Sequence, residues 1–68
     1  MVIKFTVRNK LGVFESEKME VSEDQYKNLI DKSKKFWETG FEMWLENGFM
    51  VIPPKLIKKS IFSIDVII

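Results

Sequence analysis

Apolar and polar residues alternate strictly at the start of the chain, with Ile3, Phe5 and Val7 on one side and Lys4, Thr6 and Arg8 on the other. A period of two predicts a half-buried strand over residues 2–8. Asn9-Lys10-Leu11-Gly12 supplies a turn, with Gly12 suited to a left-handed conformation. Residues 13–21 then read as a more polar second strand. Glu15 and Glu17 interrupt its apolar face, as expected of an edge strand whose charges discourage unwanted pairing.

At Ser22 the period changes. Ser22 and Gln25 have the spacing of a capping box, and Glu23 and Asp24 sit near the positive end of the helix dipole. Tyr26, Leu29, Ile30, Ser33, Phe36 and Trp37 recur on one side of a helix, and Lys27, Asp31, Lys32, Lys34, Lys35 and Glu38 fill much of the rest. Gly40 is the expected stop. An aromatic stripe at this spacing is expected to be core rather than a cofactor box.

Residues 41–52 are the most informative segment. Asn47-Gly48 lies between two β-prone runs, which predicts a hairpin closed by a type I′ turn on that dipeptide. In that register Glu46 faces Phe49, Leu45 faces Met50, Trp44 faces Val51 and Met43 faces Ile52. One face then carries Phe41, Met43, Leu45, Met50 and Ile52, and the other Trp44, Phe49 and Val51 beside Glu42 and Glu46. Pro53-Pro54 ends the ladder, residues 55–59 can form one helical turn anchored by Leu56 and Ile57, and residues 61–68 read as a last strand. The expected fold is α+β, in the order β-β-α-β-β-β, with one amphipathic helix on a mainly antiparallel sheet, both faces of which can be covered only if the sheet curls into a small barrel.

The chain has 68 residues, so one small domain spanning 1–68 is expected, close to the size at which a single core is only just sufficient. With no Cys it has neither disulfides nor thiolate metal sites, and with no His it lacks the commonest general base and metal ligand. Stability must come from the 46% of apolar residues or from association, so a homo-oligomer is a natural expectation. No apolar run approaches the ~20 residues of a membrane span, and the N-terminus lacks a signal-peptide pattern, so a cytoplasmic protein is expected.

Little in the chain points to catalysis. Gly12, Gly40 and Gly48 are scattered rather than spaced as a phosphate loop, and nucleophilic systems that need His or Cys are excluded. Glu42 and Glu46 share a strand face but are about 13 Å apart at strand rise, too far for a cooperating carboxylate pair. No enzyme activity, metal or cofactor is expected.

Binding fits the residues better. Trp44, Phe49 and Val51 with Glu42 and Glu46 at the rim match the anatomy of a protein interface. The competing arrangement covers this face inside the monomer by curling the sheet into a small barrel. Lys55, Lys58 and Lys59 around the Pro-Pro corner offer an anion-binding cluster, which leaves open an oligomer that sequesters a small anionic ligand such as a nucleotide signal. A nucleic-acid-binding barrel is disfavoured, because the net charge is only +1, Arg occurs once, as Arg8, and the candidate aromatics sit beside carboxylates.

Trp44-Leu45-Glu46-Asn47-Gly48, continuing through Val51-Ile52-Pro53-Pro54 to Ser60-Ile61, resembles segments of short proteins of phages and prophages of low-GC Gram-positive bacteria. The resemblance covers about the C-terminal third of the chain. It implies an inhibitor of a bacterial host enzyme or antiviral-defence protein in the host cytoplasm, acting by binding a protein partner or by sequestering a signal. It assigns no residue a role.

Overall fold

The computed structural model describes residues Met1 to Ile68. Its elements run β1 (Val2–Asn9), β2 (Gly12–Glu15), β3 (Met19–Glu20), α1 (Glu23–Ser33), α2 (Phe36–Thr39), β4 (Phe41–Leu45), β5 (Gly48–Ile52), α3 (Pro54–Ile57) and β6 (Ile61–Val66). This is the expected α+β class. All pairings are antiparallel, and they form two sheets. In the first, β1 is central, with β2 and β3 along one edge and β6 along the other; the second is the β4–β5 hairpin.

The alternation of β1 does what its period requires. Ile3, Phe5 and Val7 are buried and pack with Phe41, Met43, Ile52 and Ile57 in one core. Thr6 is also buried, on the opposite face. Its hydroxyl donates to Asp65 Oδ2 at 2.6 Å, which satisfies a polar group that would otherwise cost about 1–3 kcal/mol to bury.

The second strand departs from its expected continuity. β2 pairs with β1 as Thr6 opposite Glu15, whereas β3 pairs as Ile3 opposite Met19. The register therefore slips by one residue across residues 16–18, the signature of a β-bulge. Ser16 supports the kink: its N–H donates to the Phe5 carbonyl at 2.9 Å, and its buried Oγ accepts from the Phe5 N–H at 2.8 Å. The extra residue reverses the parity of the strand. Phe14 and Met19, an odd number of residues apart, both pack on the core, while Val13, expected on the apolar face, is exposed.

The helix is also interrupted. The Ser22–Gln25 capping box forms as expected. Ser33 Oγ then donates back to the Ile30 carbonyl at 2.6 Å, a local bond that favours bending, and α1 ends there. The chain re-enters a helical turn only at Phe36. As a result the expected aromatic stripe divides: Tyr26, Leu29 and Phe36 pack against the core, but Trp37 is 51% exposed.

Phe36 joins Phe5, Phe41 and Phe62 in a ring cluster. Phe41 lies 4.6 Å from Phe36, 4.9 Å from Phe62 and 5.2 Å from Phe5, measured between centroids. The rings come from β1, α2, β4 and β6, so one cluster ties the hairpin to the central sheet. Gly40 lets the chain turn into β4. Its φ of 77° and ψ of −176° are a glycine conformation, and a Cβ there would lie 2.7 Å from the Ile52 carbonyl oxygen.

Two substitutions check this arrangement by urea denaturation. Phe41→Ala is expected to cost about 3–5 kcal/mol, comparable to the whole stability of a domain of this size, and to leave much of the chain unfolded. Gly40→Ala is expected to cost roughly 1–3 kcal/mol from backbone strain alone, with the clash added.

Candidate functional site

The β4–β5 hairpin is apolar on both faces, and the core uses only one. Phe41, Met43 and Ile52 are buried, and Leu45 and Met50 pack partly against them. Trp44, Phe49 and Val51 point the other way and are 67%, 44% and 65% exposed. Trp44 and Phe49 sit directly opposite one another with ring centroids 4.7 Å apart. Glu42, also exposed, faces Val51 across the ladder. The face allocation is the one the alternation predicts.

The register is not. The pairs are Phe41 with Ile52, Glu42 with Val51, Met43 with Met50, Trp44 with Phe49 and Leu45 with Gly48. The turn therefore falls on Glu46-Asn47 rather than Asn47-Gly48. No residue other than Gly12 and Gly40 has a positive φ, so the turn is not of type I′. The expected register would have set Phe41 opposite Pro54 and Glu42 opposite Pro53, neither of which can donate to a ladder. The observed one completes the ladder at Ile52, before the prolines. Because the two registers differ by two residues, every side chain keeps its face. Glu46 is the exception among the predicted site residues: it leaves the strand face for the turn.

Glu46 lies instead at a cleft of about 390 Å³ between the hairpin tip and β2, which it shares with Lys4, Glu15 and Lys18. Lys4 Nζ is already paired with Glu15 at 2.9 Å. The hairpin is anchored along this seam by the Glu17 N–H, which donates to the Trp44 carbonyl at 3.0 Å. Trp44 is thus fixed by its backbone while its indole remains in solvent.

On the other side of the hairpin, Glu42 and Val51 form part of the wall of a cleft of about 520 Å³ that runs under Pro53 and Pro54 to Thr39 and Phe36. The aromatic pair and this cleft are therefore neighbouring parts of one surface, joined by the Glu42–Val51 row.

The lysines are placed differently. Lys55 is on α3, Lys58 and Lys59 follow it, and all three are exposed. None of them lines a cleft. Lys58 Nζ stands 5.7 Å from the centroid of Trp37, within range of a cation–π contact. Trp37 is the exposed aromatic that helical periodicity misplaced; Ser33, a residue whose hydroxyl competes for helix backbone groups, is the local signal before it. A further apolar row, Val13 and Ile61 flanking Arg8, crosses the outer face of the central sheet. No helix is long and apolar enough to cross a membrane.

No protein-family model, curated protein or solved structure matches the chain.

The turn assignment has a direct check. Gly48 sits in the strand without a positive φ, and a Cβ there meets nothing within 4 Å. Gly48→Ala is expected to change stability by no more than about 1 kcal/mol, and to raise it if it changes at all, whereas a type I′ turn on Asn47-Gly48 would be weakened. Trp44→Asp should cost only about 1 kcal/mol, the scale of an exposed aromatic pair. Urea midpoints of the two variants against wild type measure both.

Proposed function

We propose that this protein is a non-catalytic binding module, a phage-type inhibitor that docks on a bacterial protein through the outer face of the β4–β5 hairpin. The observation that carries the reading is the exposed Trp44–Phe49 pair with Val51 beside it, held on a ladder whose other face is core. Aromatic side chains already fixed by their backbone lose little freedom on binding and bury a large area, which is why they dominate interface energetics. Glu42 supplies a charged rim, and the cleft under Pro53 and Pro54 offers a recess for an anchoring side chain of the partner. The biological class, an inhibitor acting in the cytoplasm of a bacterial host, comes from the resemblance of the C-terminal third to phage and prophage proteins.

The test is capture from a lysate of a low-GC Gram-positive bacterium on immobilised protein, followed by affinity measurement with the captured partner. Trp44→Asp is expected to weaken binding by at least about 30-fold, the effect of losing an interface anchor of ~2 kcal/mol, with the fold intact by circular dichroism. Trp37→Asp, at the other exposed tryptophan, should leave affinity unchanged. Equal capture by wild type and Trp44→Asp would remove the hairpin face from the interaction.

A further inference from the structure

The central sheet has one unguarded edge. Along β1, Phe5 exchanges its hydrogen bonds with Ser16 on the β2 side. The alternation of an antiparallel ladder then directs Lys4, Thr6 and Arg8 toward β6, where their partners are Asp65, Ser63 and Ile61. The Ile67 N–H donating to the Val2 carbonyl at 2.8 Å continues the same phase. It follows that the N–H and C=O groups of Phe62, Ile64 and Val66 point away from β1, and no strand pairs with that side of β6.

Other borders of the two sheets are blunted. The β2–β3 edge carries the bulge and is bonded to the hairpin through Glu17, and β5 runs into Pro53-Pro54. β6 has no proline and no lysine. Its one charge, Asp65, is already engaged by Thr6. Ile61 and Val66 are 70% and 52% exposed at its two ends, and Ile67 and Ile68 beyond it are exposed as well. A long apolar edge without such devices is a template for another strand.

We propose that β6 pairs antiparallel with β6 of a second copy, about a two-fold axis at Ile64, joining two four-stranded sheets edge to edge. The strand is complementary to itself in that register. Ile64 faces Ile64 of the other copy, Phe62 faces Val66, and Ile61 faces Ile67, so the outward-pointing backbone groups at 62, 64 and 66 meet their counterparts. Asp65 falls opposite Ser63, a hydroxyl that can donate to it, and not opposite the second Asp65. Two-fold pairing uses one strand twice and closes on itself, which limits assembly to a dimer. The Trp44 face lies on the hairpin and takes no part, so the dimer presents it twice.

Light scattering across a concentration series, with amide hydrogen exchange by NMR, tests the proposal. The wild-type chain is expected at twice its 8.1 kDa mass, with the amides of Phe62, Ile64 and Val66 protected in proportion to the dimer present. Val66→Pro removes an outward N–H that the monomer does not use, and should give a folded monomer; so should the chemically synthesised chain carrying N-methyl-Ile64, which keeps every side chain. Trp44→Asp should remain dimeric. A monomer at every concentration, with fast exchange at 62, 64 and 66, overturns the proposal. So does a dimer that survives the N-methyl change, or one that Trp44→Asp dissolves.

Discussion

Four phenylalanine rings, Phe5, Phe36, Phe41 and Phe62, hold together two sheets that share almost no backbone pairing. The central sheet and the β4–β5 hairpin are separate ladders, bridged along their seam by the Glu17–Trp44 hydrogen bond. The rings join them: Phe41 from the hairpin lies edge-on to Phe5, and Phe36 is perpendicular to Phe62. Each such contact adds about 0.5–1.5 kcal/mol to the burial of the rings themselves. In a chain with no disulfide, that contribution is a large share of the stability available.

The cluster also decides which hairpin face is free. Phe41 must enter it, and alternation then carries Met43 and Ile52 inward and Glu42, Trp44 and Val51 outward. A hairpin with apolar residues on both faces and one helix of any length, α1, has nothing to cover the second face. α1 itself contributes no buried residue. Exposure of the Trp44–Phe49 pair is therefore a consequence of how the core closes, and the proposed binding surface and the core are two sides of one ladder.

The features with a single clean period were legible in the sequence. β1, the Ser22 cap, the stop at Gly40, the turn after Pro53 and the two-faced hairpin all follow from local patterns that tertiary packing does not oppose. Where packing chooses between local options, the structure departs from the local pattern. Asn47-Gly48 is a strong turn signal, but prolines at 53 and 54 make that register lose its last pairs, so the turn moves to Glu46-Asn47. The bulge at residues 16–18 is invisible to a period of two because one inserted residue makes the inner face Phe14 and Met19 instead of Val13 and Met19. Trp37 fits the helical stripe, but the bend after Ser33 turns Phe36 inward and leaves Trp37 beside Lys58. A two-residue shift gives each side chain a new cross-strand partner but preserves every strand face, so Trp44, Phe49, Val51 and Glu42 still share one surface. Glu46 alone leaves that face, for the turn.

The indole of Trp44 stands in water while its strand is anchored in the core. Fluorescence of a Trp37→Phe variant, with Trp44 as the sole emitter, measures this directly. Emission is expected at the wavelength of a solvated indole, quenched by iodide almost as readily in the folded protein as in urea. Blue-shifted emission shielded from iodide until the protein unfolds would place Trp44 inside the molecule and contradict that exposure.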